Sequence, residues 1–182
     1  MRVIAGQKRG KKLDRLRDEA VRPTTDKVKE SIFNVIQFDV AGANFLDLFA
    51  GSGQIGIEAL SRGARQATFV DENRAAICVI KKNLTATGFM ARATVVNADS
   101  ALFLKKQRER LFDIAFLDPP YKSEVLDTAL LLLPEVMAKG GIIICEHPVN
   151  LDLPLDLANF HLAKAYKYGK IAVSIYCDWG DS

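Results

Sequence analysis

At 182 residues the chain suffices for one domain, or one domain with a small appendage, around a sizeable buried core. No stretch approaches the roughly 20 apolar residues of a membrane span, and the basic, polar start lacks the apolar centre of a signal peptide, so a cytoplasmic location away from membranes is expected. The net charge of +3 conceals a segregation: residues 1–30 hold ten Lys or Arg against five Asp or Glu, and the rest hold fifteen against seventeen.

Within that basic start, Arg2-Val3-Ile4-Ala5-Gly6 and Gly10-Lys11-Lys12-Leu13 combine apolar residues with turn glycines, as a small β-hairpin would. Arg2, Lys8, Arg9, Lys11 and Lys12 all precede the first acid, Asp14. Cations on a folded hairpin gain by neutralising phosphates and releasing counterions, which makes these five candidate nucleic-acid contacts. A solvated charged tail is the plain alternative. Residues 1–22 are read as this basic extension and 23–182 as the main domain.

Arg22-Pro23-Thr24-Thr25-Asp26 then marks a helix start, with a Thr cap and an acid in the first turn. Val28, Ile32, Val35 and Ile36 follow at helical spacing and predict a core-facing side.

The run Asn44-Phe45-Leu46-Asp47-Leu48-Phe49-Ala50-Gly51-Ser52-Gly53-Gln54-Ile55-Gly56 is an apolar strand entering a glycine-rich turn, followed by a short helix up to Gly63. Glycines there permit a tight turn and close backbone approach, and the helix start offers unpaired N–H groups to an anion. Gly51, Gly53 and Gly56 also satisfy the G-x-G-x-x-G dinucleotide pattern, with Asp71 twenty residues beyond Gly51 at the end of the strand-like 67–70. A nicotinamide-dependent oxidoreductase is therefore a rival reading. Asp47 speaks against it, since a carboxylate inside the strand suits a ligand bearing an ammonium group. S-adenosylmethionine carries an ammonium and a carboxylate, plus a ribose diol that Asp71 could accept from. Phe49 suits core packing better than ligand contact, although its place in the motif keeps it among the cofactor-side candidates.

Helical segments near 73–87, 100–108 and 125–138 alternate with strands at 93–96, 113–117 and 142–146, which implies a doubly wound, mostly parallel α/β sheet covered on both faces. Residues 160–166 and 170–177, joined through Tyr168-Gly169, read as a terminal antiparallel hairpin. Cys78, Cys145 and Cys177 are odd in number and lack metal-type spacing, so they are read as buried free thiols. His147 and His161 are isolated, and no metal is expected.

Ligands of such sheets bind beyond the carboxyl ends of the strands. Asp47 and the glycines, Asp71, Asn97-Ala98-Asp99-Ser100 and Asp118-Pro119-Pro120-Tyr121 all belong there. Asp99 could accept from an exocyclic adenine amine, and a helix cap explains it equally well. In Asp118-Pro119-Pro120-Tyr121 the prolines fix the backbone and hold carbonyls as acceptors. Asp118 and a proline carbonyl could take the two N–H groups of an amine while Tyr121 stacks on a planar base.

Together with Arg2-Val3-Ile4-Ala5-Gly6, Arg22-Pro23-Thr24-Thr25-Asp26 and Glu58-Ala59-Leu60-Ser61-Arg62-Gly63-Ala64, these motifs resemble the bacterial 16S ribosomal RNA guanine-N2 methyltransferase family over nearly the whole chain. The resemblance implies a seven-stranded class I methyltransferase (Rossmann-like) sheet whose last strand is antiparallel, and binding of S-adenosyl-L-methionine. It implies one guanine of 16S rRNA as substrate, presented on the small ribosomal subunit or its assembly intermediate, which makes Arg2, Lys8, Arg9, Lys11 and Lys12 candidate RNA contacts; a monomer is expected. It also places residues 23–30 near the cofactor, with Thr24, Thr25 and Lys27 as candidates. The Asp-Pro-Pro-Tyr and glycine motifs are shared with DNA adenine and cytosine amino-methyltransferases. That reading is disfavoured because so short a chain has no separate target-recognition domain.

Overall fold

The computed structural model describes residues 1–16, 25–120 and 123–178. Five parallel strands form the body of one sheet: β1 (Asn44–Leu48), β2 (Gln66–Asp71), β3 (Ala93–Asn97), β4 (Phe112–Leu117) and β5 (Met137–Pro148). Between them run α2 (Gln54–Ser61), α3 (Arg74–Thr87), α4 (Ser100–Lys106) and α5 (Ser123–Leu132), with α1 (Asp26–Val35) preceding β1. The chain finishes on β6 (Asp156–Leu157), β7 (Phe160–Tyr168) and β8 (Ile171–Cys177). The spatial order is β3-β2-β1-β4-β5-β8-β7-β6, with β8 antiparallel to both β5 and β7. The strand order reverses between β1 and β4, which opens a crevice at their carboxyl ends.

The alternation of side chains along each strand separates two cores. Phe45, Phe69, Ile114 and Phe116 face α1, α2 and α3, whereas Leu46, Leu48, Ala115 and Leu117 face α4 and α5. Both faces are covered, so the strands read as continuous apolar runs instead of alternating ones.

Two expectations are corrected. The sheet has eight strands, not seven, because Asp156 and Leu157 pair with His161 and Phe160 as a two-residue edge. The helix expected over 125–138 ends at Leu132, and a 3₁₀ turn follows at Leu133–Glu135. Pro134 has no N–H to continue the helical ladder, and Met137 already pairs with Phe112.

The N-terminal segment closes as an antiparallel loop. Arg2 and Lys12 form a bridge, and Val3 N–H donates to the Lys11 carbonyl at 3.0 Å. Val3 and Leu13 are buried in the core beneath it. No helix among the described residues is long and apolar enough to cross a membrane.

Candidate active site

The turn after β1 places three residues in the left-handed region: Phe49 (φ 76°), Gly51 (53°) and Gly53 (76°). Glycine takes this conformation freely, but a phenylalanine does so at a cost of about 1–2 kcal/mol. Phe49 is held there by its N–H, which donates to the Val70 carbonyl at 3.0 Å, and by its ring, which leans on the second core. Gly53 caps α2. Phe49, Ala50, Gly51 and Ser52 all face the crevice.

Asp47 sits in β1 between Phe69 of β2 and Phe116 of β4, and is 2% exposed. Its carboxylate accepts the Gly56 N–H at 2.9 Å from the first turn of α2. Burial between the two rings pushes its pKa up to about 7, and Asp71 adds to the rise, while the Gly56 N–H opposes it. Asp71 ends β2 and accepts Gly51 N–H and Asn73 N–H, each at 2.8 Å. It thereby fixes the glycine turn. A carboxylate offers about four acceptor sites, so two bonds leave it able to take a diol. Asp99 follows β3 as the cap of α4, accepting Leu102 N–H at 2.9 Å, and is exposed at the crevice rim.

Asp118, half-buried at the end of β4, lies one strand away from Asp47, with buried Pro119 and exposed Pro120 beside it. Tyr121 falls outside the described residues. Asp47, Phe49, Gly51, Asp71, Asp99, Asp118, Pro119 and Pro120 thus line a single cleft of about 1210 Å³. Gly53 shapes the turn behind it. Thr25 does not line it and instead caps α1, accepting Val28 N–H at 3.4 Å. Thr24 lies outside the described residues.

Several residues reach the site without having been expected there. Asp14, Arg15 and Leu16 leave the basic loop and form an outer wall of the cleft. Asn83 of α3, 2% exposed, holds that wall: its side chain accepts Asp14 N–H at 2.8 Å and donates to the Ser52 carbonyl at 3.0 Å. Its signal in the sequence was a polar residue at a helix position that the spacing of Ile77, Ile80 and Leu84 would bury. Cys78, expected to be buried, is exposed and lines the cleft, while Cys145 is buried. The apolar neighbours of Cys78 in sequence face inward on a helix, and it occupies the other side. Among the described residues no group of His, Cys, Asp and Glu is suited to a metal ion.

Arg2, Lys8, Arg9, Lys11 and Lys12 are all exposed on the N-terminal loop, outside the cleft but connected to its wall through Leu13. Arg2 pairs with Asp26 at 3.3 Å. The other four have no carboxylate partner among the described residues.

The family described as Conserved hypothetical protein 95 matches residues 1–177. The chain is 43% identical over 181 residues to Ribosomal RNA small subunit methyltransferase D of Haemophilus influenzae, covering 97% of this chain and 93% of that one. It is 38% identical over 178 residues to the protein of the same name from Escherichia coli, covering 97% and 89%. A solved Escherichia coli chain described as a methyltransferase superposes with a TM-score of 0.88 at 37% identity, covering 98% and 97%. The doubly wound sheet, the carboxylate-lined cleft at its switch point and this end-to-end likeness agree: the chain belongs to the Conserved hypothetical protein 95 family of ribosomal RNA methyltransferases.

Proposed function

We propose that the protein transfers a methyl group from S-adenosylmethionine to the exocyclic N2 amine of one guanine in 16S rRNA of the small ribosomal subunit. The observation that carries this reading is the meeting of two unlike acceptor sets in one cleft: Asp47, Asp71 and the glycine turn around β1 and β2, and Asp118 with Pro119 at the end of neighbouring β4.

The first set fits the cofactor by its chemistry. Asp47 offers a negative charge to an ammonium, Asp71 offers acceptor sites to a ribose diol, and Phe49, Val70, Val79 and Ala98 give apolar walls suited to a purine. When bound, S-adenosylmethionine supplies a methyl already activated on a sulfonium. What remains for the protein is to aim a weak nucleophile, because an aromatic amine delocalises its lone pair into the ring. Asp118 and the Pro119 carbonyl would each accept one N–H of the amine, turning its lone pair outward and favouring the positive charge that develops on nitrogen. Among the described residues six carboxylates and two cations line the cleft, a balance that favours a neutral base with N–H donors over a phosphate backbone. The base must therefore enter unpaired or flipped out of its stack. Tyr121 is assigned to stack on it. The names of the relatives supply the substrate class, small-subunit ribosomal RNA, and Lys8, Arg9, Lys11 and Lys12 are assigned to its phosphates.

The test is transfer of label from S-adenosylmethionine to unmodified small subunits, free 16S RNA and duplex DNA in parallel, followed by nucleoside mass spectrometry. N2-methylguanosine from subunits or RNA is expected, and methylated adenine or cytosine from DNA would overturn the substrate. In the same assay Asp118→Ala should lose at least about a hundredfold in rate, in line with the loss of a preorganised polar group aimed at developing charge. Cofactor affinity should be unchanged. Retained activity in that variant would remove Asp118 from its assigned role.

A further inference from the structure

The basic loop is bolted to α2 by buried polar groups that the proposed reaction does not use. Glu58 is 0% exposed, and its two oxygens accept Ile4 N–H at 2.7 Å, Ala5 N–H at 2.9 Å and the Arg62 guanidinium at 2.8 Å. Lys29 of α1, also 0% exposed, lies 3.7 Å from Glu58 and donates to the Arg2 carbonyl at 2.6 Å. Ser61 donates to the Ala5 carbonyl at 2.6 Å and accepts Lys8 N–H at 3.0 Å. Gly6 completes the contact: its φ is +79°, and a Cβ there would stand 1.9 Å from the Ser61 carbonyl oxygen.

Burying a carboxylate and an ammonium carries a large desolvation cost, and apolar side chains could fasten a surface loop without it. What charged and hydrogen-bonded contacts add is a fixed pose, because each fits only one placement of the backbone. The contacts fall on residues 2, 4, 5 and 8, so every turn of the loop beneath Arg2, Lys8 and Arg9 is held. The same helix, two and five residues before Glu58, carries Gly56, which holds Asp47, and its cap Gly53 in the turn behind the cleft.

We propose that Glu58, Ser61 and Lys29 are positioning residues for the RNA substrate: they preorganise the basic loop at a set distance and angle from the cleft, so the cations meet phosphates in the pose that delivers the target base. The inference rests on the ribosomal RNA reading above. A loop ordered before binding loses less conformational freedom on association, so loosening it weakens substrate binding without touching chemistry.

Ser61→Ala removes two hydrogen bonds at little change of volume, and Gly6→Ala forces the loop off α2 through its Cβ. With unmodified small subunits as the probe, both should raise KM and the directly measured dissociation constant. We expect about three- to tenfold for Ser61→Ala, from the removal of two bonds of ordinary net strength, and more for Gly6→Ala. The kcat at saturating subunits and the affinity for S-adenosylmethionine should stay at wild-type values, and the dependence of subunit affinity on salt should become shallower. A clamp that is merely structural would lower the melting temperature and leave KM and the salt slope alone, and that result in both folded variants overturns the proposal. A wild type that binds subunits without methylating them would sink the assigned reaction, and the affinity arm would still decide the clamp. A wild type that does not bind subunits would sink both.

Discussion

Asp47 is a single side chain set against the stability of the fold. Its ordinary carboxyl pKa of 3.8 is pushed up to about 7 by burial, with Gly56 N–H opposing and Asp71 adding. A group whose pKa rises on folding lends stability that is complete below its unfolded pKa and is lost as pH climbs through the folded value. The ionised Asp47 of the cofactor-free protein therefore strains the fold above pH 7, by up to about 4 kcal/mol for a shift of this size. Asp47→Asn should melt several degrees above wild type at pH 8.5, and the gap should narrow as pH falls and close only below about pH 4, where the carboxyl is protonated in the unfolded chain as well. Cofactor affinity should show the opposite pattern. Wild type should bind S-adenosylmethionine more tightly as pH rises through about 7, because the charge that costs stability is the one that meets the ammonium, whereas the variant should bind weakly at every pH. Thermal melts and calorimetric titrations at several pH values check both arms, and a pH-independent difference in stability would show that Asp47 is already ionised at low pH.

At the scale of elements, α2 is the member on which the two proposed roles converge, and its packing leaves little tolerance. All eight of its residues are buried, and a Cβ at Gly56 would lie 2.3 Å from the Phe69 ring. Gly56→Ala should therefore cost about 1–3 kcal/mol through overpacking, read as a lower urea midpoint with an unchanged slope. Gly88→Ala makes the contrast: it meets nothing within 4 Å and should cost only the left-handed backbone strain at φ +74°. The places of Gly51, Gly53 and Gly56, and of Asp47 and Asp118, around the carboxyl ends of the strands were legible in the sequence because strand, turn and following segment are contiguous there. Glu58 and Asn83 were not, because their partners lie 54 and 69 residues away and nothing local marks a buried carboxylate or amide as a clasp. The wall at Asp14 to Leu16 was missed for the same reason. The end of α5 was misjudged because the apolar spacing of 125–138 runs on through Pro134, and only the pairing of Met137 with Phe112 decides that those residues belong to a strand.

Over the whole molecule the charge segregation seen along the chain becomes a segregation in space. Arg2, Lys8, Arg9, Lys11 and Lys12 project from a loop fixed to one end of α2, and among the described residues six carboxylates against two cations line the cleft near the other. Under the proposed reaction, such a charge distribution would draw the RNA backbone to the loop and away from the cleft, sorting backbone from target base before contact. Such sorting requires that most of the salt-dependent affinity reside in the loop. Replacing Lys8, Arg9, Lys11 and Lys12 together by Gln should lower small-subunit affinity and reduce the slope of log affinity against log salt by up to about 3, at roughly 0.7–0.9 for each phosphate that is no longer neutralised. S-adenosylmethionine binding should not weaken, since none of the four lines the cleft. A variant with weaker affinity and an intact salt slope would mean that the phosphates are met elsewhere on the protein, and that the loop acts through its shape alone.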